Sequence, residues 1–213
     1  MVGWKPSQFI FVHIPKCAGT SIEYALVPFV TSGKALIDLD DSLRDRHFLP
    51  GGSRRQHSKL RDYAKHHELS HFFKFAFVRN PWDRAISQIL FTQRCNNAFF
   101  ANRNFKENIR AYCRISRYVG RHDFGACQLD YLLNESGGMG VNYVGRFESL
   151  GADFEKACAA IGIKPAPRLS HKYDGMRHSH YSTYYDEESA EWIGKRFAKD
   201  INYFGYKFEN HLR

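Results

Sequence analysis

In FVHIPKCAGTSIEYAL, residues 11–26, Lys16, Gly19, Thr20 and Ser21 crowd one small-residue turn together with Cys17 and Ala18. A short apolar run precedes the turn and a helix-like run follows it. A helix N-terminus leaves backbone N–H groups unpaired and carries the positive end of the helix dipole, so such a turn favours an anion. Gly19 admits close approach of the backbone, Thr20 and Ser21 add hydroxyl donors, and Lys16 adds a mobile full charge. The order is not that of a Walker A loop, G-x-x-x-x-G-K-[ST], where the lysine follows the second glycine. No acidic strand end stands out to hold Mg²⁺. Taken alone, these residues read equally well as an ordinary capped turn with a chance lysine.

A second group lies in FKFAFVRNPWDRAISQILF, residues 73–91. Arg79 ends an apolar run and Ser87 sits on the helix that follows. An arginine at a strand end beside a helix N-terminus is another place for an anion. Two phosphate-type sites at two strand ends suit a ligand charged at both ends, such as a nucleotide with a second phosphate on its ribose. Arg79 paired with Asp83 as plain capping is the competing reading.

Both groups need elements to hold them. Phe9–His13 and Phe73–Val78 are short, continuous, β-prone runs and read as buried strands. Ala35–Leu39 and Tyr143–Phe147 read as further strands. Thr20 to Leu26 reads as a helix in which Thr20 caps and Glu23 completes a capping box. Asn80 caps the next helix, Pro81 fits its first position and Asp83 its first turn. Trp82, Ala85, Ile86, Ile89 and Leu90 then recur at i, i+3, i+4, i+7 and i+8, one apolar face. Leu60–Leu69 reads as a short helix, and residues 95–135 as helical in pieces. A helix after Leu150 ends at Gly162, Pro165–Tyr185 reads as a loop, and Asp186–Lys199 as one C-terminal helix. Repeated strand–turn–helix units predict an α/β fold with a mainly parallel central sheet flanked by helices, in which ligands bind at the carboxyl ends of the strands. The 213 residues suit a single domain, 1–213.

Composition narrows the partners. Hydrophobic residues make up 43% of the chain, which describes a globular protein. A net charge of +9 favours anionic partners. No apolar run nears the roughly 18 residues that span a bilayer, and the first residues lack a signal-peptide core, so a cytoplasmic protein without an integral membrane segment is expected. The five cysteines include no C-x-x-C pair, which argues against a disulfide framework or a zinc site.

HIPKCAGTSIEYAL and FKFAFVRNPWDRAISQILF, followed by YVGRFESLGADFE and YYDEESAEWIGKRFAKDINYFGYKF, resemble the bacterial and Golgi carbohydrate sulfotransferases of the heparan-sulfate 2-O and chondroitin type. The resemblance runs from about Phe9 to Phe208 and departs mildly at Cys17-Ala18, where many relatives have Thr-Gly or Thr-Ala. It implies a P-loop-NTPase-like three-layer fold. The donor it implies is 3′-phosphoadenosine 5′-phosphosulfate (product 3′-phosphoadenosine 5′-phosphate), with no metal. The resemblance further implies that Lys16, Cys17, Ala18, Gly19, Thr20 and Ser21 hold the 5′-phosphosulfate, and that Arg79 and Ser87 hold the 3′-phosphate. Relatives close a late loop over the nucleotide, which adds Arg177, His178 and Tyr181; Arg146 in GRFE is a further candidate.

Sulfuryl transfer needs an acceptor oxygen in line with the leaving oxygen and a charge to stabilise what leaves. Lys16 is the candidate for that charge. The acceptor must also lose a proton. His57, in SRRQHSKLRDY, stands where relatives carry their base, and Arg54, Arg55 and Lys59 would disfavour its protonated form. His13 is the second candidate. The acceptor is expected to be a glycan or another hydroxyl compound. The stretch Arg94–Arg121, with Arg103, Lys106, Arg110, Arg114 and Arg117 among Phe99, Phe100, Phe105, Tyr112 and Tyr118, suits an acidic sugar chain and equally an amphipathic helix pair. A P-loop nucleotide kinase and a basic nucleic-acid-binding protein are the competing functions; no helix-turn-helix, zinc-finger or RNP motif supports the latter, and nucleic acid is not expected as a partner.

Overall fold

A computed structural model describes residues 9–29, 35–37, 57–64, 69–94, 100, 104–114, 125–170 and 179–210. The chain divides into two compact units, Met1–Val78 with Asp130–Lys172, and Arg79–Leu129 with Tyr173–Arg213.

The first unit holds the sheet. Strands β1 (Phe9–Val12), β2 (Ala35–Ile37), β3 (Phe73–Val78) and β4 (Tyr143–Arg146) pair in the order β2-β1-β3-β4. All three pairings are parallel. β1 is central, and Phe9, Ile10, Phe11 and Val12 are all buried. A strand covered on both faces shows no alternation, which is why FIFV is a continuous apolar run. Each such side chain contributes about 1.5–3 kcal/mol on burial. Parallel neighbours need crossover connections, and helices α1 (Gly19–Leu26), α2 (Leu60–Ala64) and α6 (Leu150–Ala160) lie in this unit. The result is the expected α/β fold. Gly162, at φ 79°, ends α6 as its type predicts.

The second unit is helical: α3 (Pro81–Arg94), α4 (Phe105–Arg114), α7 (Glu187–Arg196) and α8 (Ala198–Phe204), while the short α5 (Leu129–Leu132) begins at its border. Trp82, Ala85, Ile86 and Ile89 of α3 are buried as their spacing requires, and Leu90 is half-buried. Asp186 caps α7 with a reciprocal Ser189 box.

Two expectations are corrected. The C-terminal helix is two helices, because Phe197 departs from helical geometry (φ −113°, ψ 26°) and buries its ring. The break brings Asp200 inside, where its carboxylate accepts from the N–H groups of Gln128 and Leu129 at 2.7 and 2.9 Å. The Thr20–Glu23 capping box does not form. The residue before α1 is Ala18, in the left-handed region, and no side chain caps the helix. Thr20 lies inside the first turn, and the Glu23 carboxylate is taken by His13.

Candidate active site

In the first unit β1 runs into His13 and then into a tight turn. Cys17 N–H donates to the Ile14 carbonyl at 3.3 Å, and the Cys17 Sγ, fully buried, lies 3.6 Å from the Pro15 carbonyl oxygen. Lys16 (φ 66°) and Ala18 (φ 64°) both stand in the left-handed region. For a residue with a Cβ this costs about 1–2 kcal/mol, so packing must hold the turn in place. The first α1 bond runs from Ile22 N–H to the Ala18 carbonyl at 3.1 Å. The first N–H groups of α1, those of Gly19, Thr20 and Ser21, gather at the positive end of the dipole. Lys16, Thr20 and Ser21 are half-buried around them.

His13 organises this turn. Its Nδ1–H donates to Glu23 Oε1 at 2.6 Å, with the two side chains 4% and 0% exposed. A Cβ at residue 19 would sit 1.9 Å from His13 Cδ2 and 2.0 Å from Nε2, so only glycine fits against the ring. The His57 ring meets the His13 ring at 4.5 Å between centroids and 77° between planes. His57 is half-buried, precedes α2 and has φ 72°. Lys16, Ala18 and His57 are the three non-glycine residues of positive φ among the described residues. Strain of this kind gathers at sites where geometry serves chemistry.

β4 ends at Arg146, which pairs in register with Val78. Its side chain is exposed, and its N–H donates to Asp153 Oδ2 at 2.9 Å. Burial alone would raise the Asp153 carboxyl. Hydrogen bonds from Lys156, Ser149, the Arg146 backbone and Tyr143 outweigh burial and hold it well below the usual carboxylate range.

In the second unit Arg79 follows β3 directly and is buried. Its Nε donates to Asp83 Oδ2 at 2.7 Å, so the capping pair weighed as a competitor does form. Asn80 caps α3 as expected, accepting from Trp82 N–H at 3.1 Å. Its amide also donates to the Lys207 carbonyl (3.0 Å) and the Tyr181 hydroxyl (3.3 Å). That hydroxyl accepts from Glu209 N–H at 2.8 Å, and burial pushes Tyr181 up to about 12. Ser87 is half-buried on α3. Arg177 lies outside the described residues, as do Arg54, Arg55, His178, Phe99, Arg103, Arg117, Tyr118 and Arg121.

The described part of the basic aromatic stretch is an amphipathic helix. In α4, Asn108, Ile109 and Tyr112 are buried while Lys106, Arg110 and Arg114 are exposed. Lys106 pairs with Asp186 and Glu188, at 2.7 Å each. Lys106 and Arg110 lie over the Trp192 ring at 5.7 and 5.8 Å.

Sequence reasoning missed the His13–Glu23 pair and the roles of Gln128 and Asp200, because spacings of 10, 49 and 72 residues carry no local signal. No group of three or more His, Cys, Asp or Glu residues among the described residues could hold a metal ion. No described helix is long and apolar enough to cross a membrane.

The model of the sulfotransferase family matches residues 5–207, and the chain belongs to that family. It is a transferase, and membership supports sulfuryl transfer as its chemistry. Comparison with curated proteins and with solved structures returns no match.

Proposed function

We propose that the protein transfers a sulfuryl group from 3′-phosphoadenosine 5′-phosphosulfate to a hydroxyl of an acceptor, with a carbohydrate as the first class to test. The observation that carries this reading is the concentration of backbone strain at Lys16, Ala18 and His57, with His13 touching both Gly19 and His57. The donor fits the turn on two counts. Lys16 brings a full positive charge to it, and the N–H groups of residues 19–21, at a helix N-terminus, suit an anion without a metal.

In this reading Lys16, Cys17, Ala18, Gly19, Thr20 and Ser21 hold the 5′-phosphosulfate. Arg79 and Ser87 hold the 3′-phosphate, with Arg146, Arg177 and Tyr181 as further contacts. The acceptor oxygen forms a bond to sulfur as the bond from sulfur to the 5′-phosphate oxygen breaks. The acceptor proton goes to His57, and the electron pair of the broken bond stays on the leaving phosphate, where Lys16 offsets its charge. Because the departing group is already a good one, positioning is the larger task. Membership in the sulfotransferase family leaves the kinase and nucleic-acid readings without support.

The test is a labelled-donor screen against glycans, small alcohols and phenols, preceded by calorimetric titration with 3′-phosphoadenosine 5′-phosphate and 5′-AMP. Tight binding of the first and weak binding of the second is the expected result. Equal binding of the two removes the donor assignment.

A further inference from the structure

His13 touches three parts of the candidate site at once. Its Nδ1 is tied to Glu23, its Cδ2–Nε2 edge lies against the Gly19 backbone, and its ring meets that of His57. The Phe11 ring stacks on it as well, at 5.9 Å and 25°. An imidazole fixed on these sides is held against rotation.

Stability does not explain the pair. Glu23 is fully buried on α1 among Ile22, Ala25 and Leu26. Removing a carboxylate and an imidazole from water is costly, and an apolar pair of similar volume commonly serves the fold as well or better. What the pair supplies is a defined ring position. His57 needs one, since it sits at a strained φ just before α2.

We propose that Glu23 and His13 are positioning residues for the proposed base. Glu23 fixes the His13 ring, and the His13 ring fixes that of His57, so the base and the anion turn are set against one imidazole. The inference rests on the assignment of His57 as base.

The experiment uses the full chain. Glu23→Leu removes the tie and keeps the volume, while Glu23→Gln can still accept from Nδ1–H. Misplacing a reacting group by about 1 Å can cost about 10²-fold, so Glu23→Leu is expected to lower kcat roughly ten- to hundredfold. Donor-product affinity is expected to fall by a smaller factor than kcat, since the backbone donors of the anion turn do not depend on the tie alone, and Glu23→Gln is expected to recover most of the rate. Combined with His57→Asn, Glu23→Leu is expected to cost nothing further, because both act on one step. The same fractional loss in both backgrounds shows Glu23 acting independently of His57 and overturns the inference.

Two ring measurements need no acceptor. The wild-type protein is expected to show a nuclear Overhauser effect between the His13 and His57 ring protons, and Glu23→Leu is expected to shift the His57 ring signals. Absence of the first, or unchanged His57 signals in a folded variant, overturns the inference. Should Glu23→Leu fail to fold, His13→Asn decides: kcat is expected to fall in the wild-type background and no further in His57→Asn, and an equal fractional loss in both backgrounds, or no loss in either, overturns the inference. A full rate in His57→Asn alone removes the base assignment and the inference with it, and that result is read from the single variant.

Discussion

The side-chain amide of Gln128 spans the backbone of Arg79: Oε1 accepts from its N–H and Nε2 donates to its carbonyl, each at 2.8 Å. The amide does for the chain leaving β3 what a neighbouring strand would do. It fixes the Arg79 backbone independently of the guanidinium, whose Nε is bonded to Asp83. Gln128→Ala is expected to lower stability by about 1–3 kcal/mol, because it strands buried main-chain groups. It is also expected to narrow the preference for 3′-phosphoadenosine 5′-phosphate over 5′-AMP. Denaturant unfolding gives the first quantity and calorimetry the second.

Arg79→Ala is expected to erase most of that preference, since a hydrogen bond to a charged group contributes about 1.5–3 kcal/mol. It also removes the Arg79 ion pair of the buried Asp83 carboxylate, a loss bounded by about 3–5 kcal/mol. The double variant Arg79→Ala/Asp83→Ala separates the effects: stability returns in part and the preference does not. If calorimetry finds Arg79→Ala still discriminating between the nucleotides as the wild type does, Arg79 does not read the 3′-phosphate.

Gly19→Ala is expected to unsettle the anion turn, because the new methyl meets the His13 ring at 1.9 Å and Glu23 holds that ring in place. Overpacking of this kind costs about 1–3 kcal/mol. Donor-product affinity falls along with the melting temperature. A variant with normal affinity would show that the ring yields.

Ala18→Gly acts in the opposite direction. Relief of the left-handed strain, about 1–2 kcal/mol, outweighs the added freedom of the unfolded chain, about 0.4–1 kcal/mol. For a chain of this size a rise of about 1–4 °C in melting temperature is expected. Calorimetric melting checks it, and a fall would show that Ala18 packs in a way that matters more than its φ.

His57→Asn is the cleaner probe of the base, because asparagine tolerates the left-handed region that residue 57 occupies. Donor-product binding is expected to stay near wild type while kcat falls by roughly 10²–10⁴, the usual worth of general acid–base catalysis. Lys16→Ala divides differently: kcat falls more than donor affinity if its charge acts on the leaving oxygen. A rise in donor KM alone would make Lys16 a binding residue.

The Asp153 carboxyl, held low by its donors, gives a pH dependence with a definite sign. A carboxyl whose folded value lies below its unfolded one adds stability above the unfolded value, about 4, and loses it as pH falls through the folded value. The penalty of Asp153→Asn is therefore full at neutral pH and shrinks as pH drops below about 4. Parallel denaturant titrations across pH check it, and a penalty that does not change with pH would remove the linkage.

What could be read in the chain was local. FIFV and FKFAFV announce buried parallel strands because both faces are covered, and NPWD announces a helix start because cap, first residue and first turn each have the right chemistry. The same logic failed at Glu23, where Thr20 and Glu23 have capping-box spacing. The helix begins one residue before Thr20, so Thr20 could not cap, and a strand-end histidine took the carboxylate. The break at Phe197 was equally hidden: the apolar spacing runs on through it, and the N–H groups that Asp200 accepts from belong to residues 72 and 71 positions earlier in the chain. The positive φ of His57 left no trace in its neighbours. For the Arg79 and Asp83 pair, sequence could name both outcomes, and geometry shows that the ion pair forms.

The bonds around Arg79 also fix an order of events during synthesis. Asn80 donates to a carbonyl 127 residues further along, and Gln128, which clasps Arg79, is anchored by a carboxylate 72 residues beyond itself. The ribosome delivers Arg79, then Gln128, and only much later Asp200 and Lys207. A nascent chain halted before Asp200 carries the arginine and the amide that holds it, and lacks the anchor for both. The surroundings of Arg79 are thus among the last parts of the molecule to be finished.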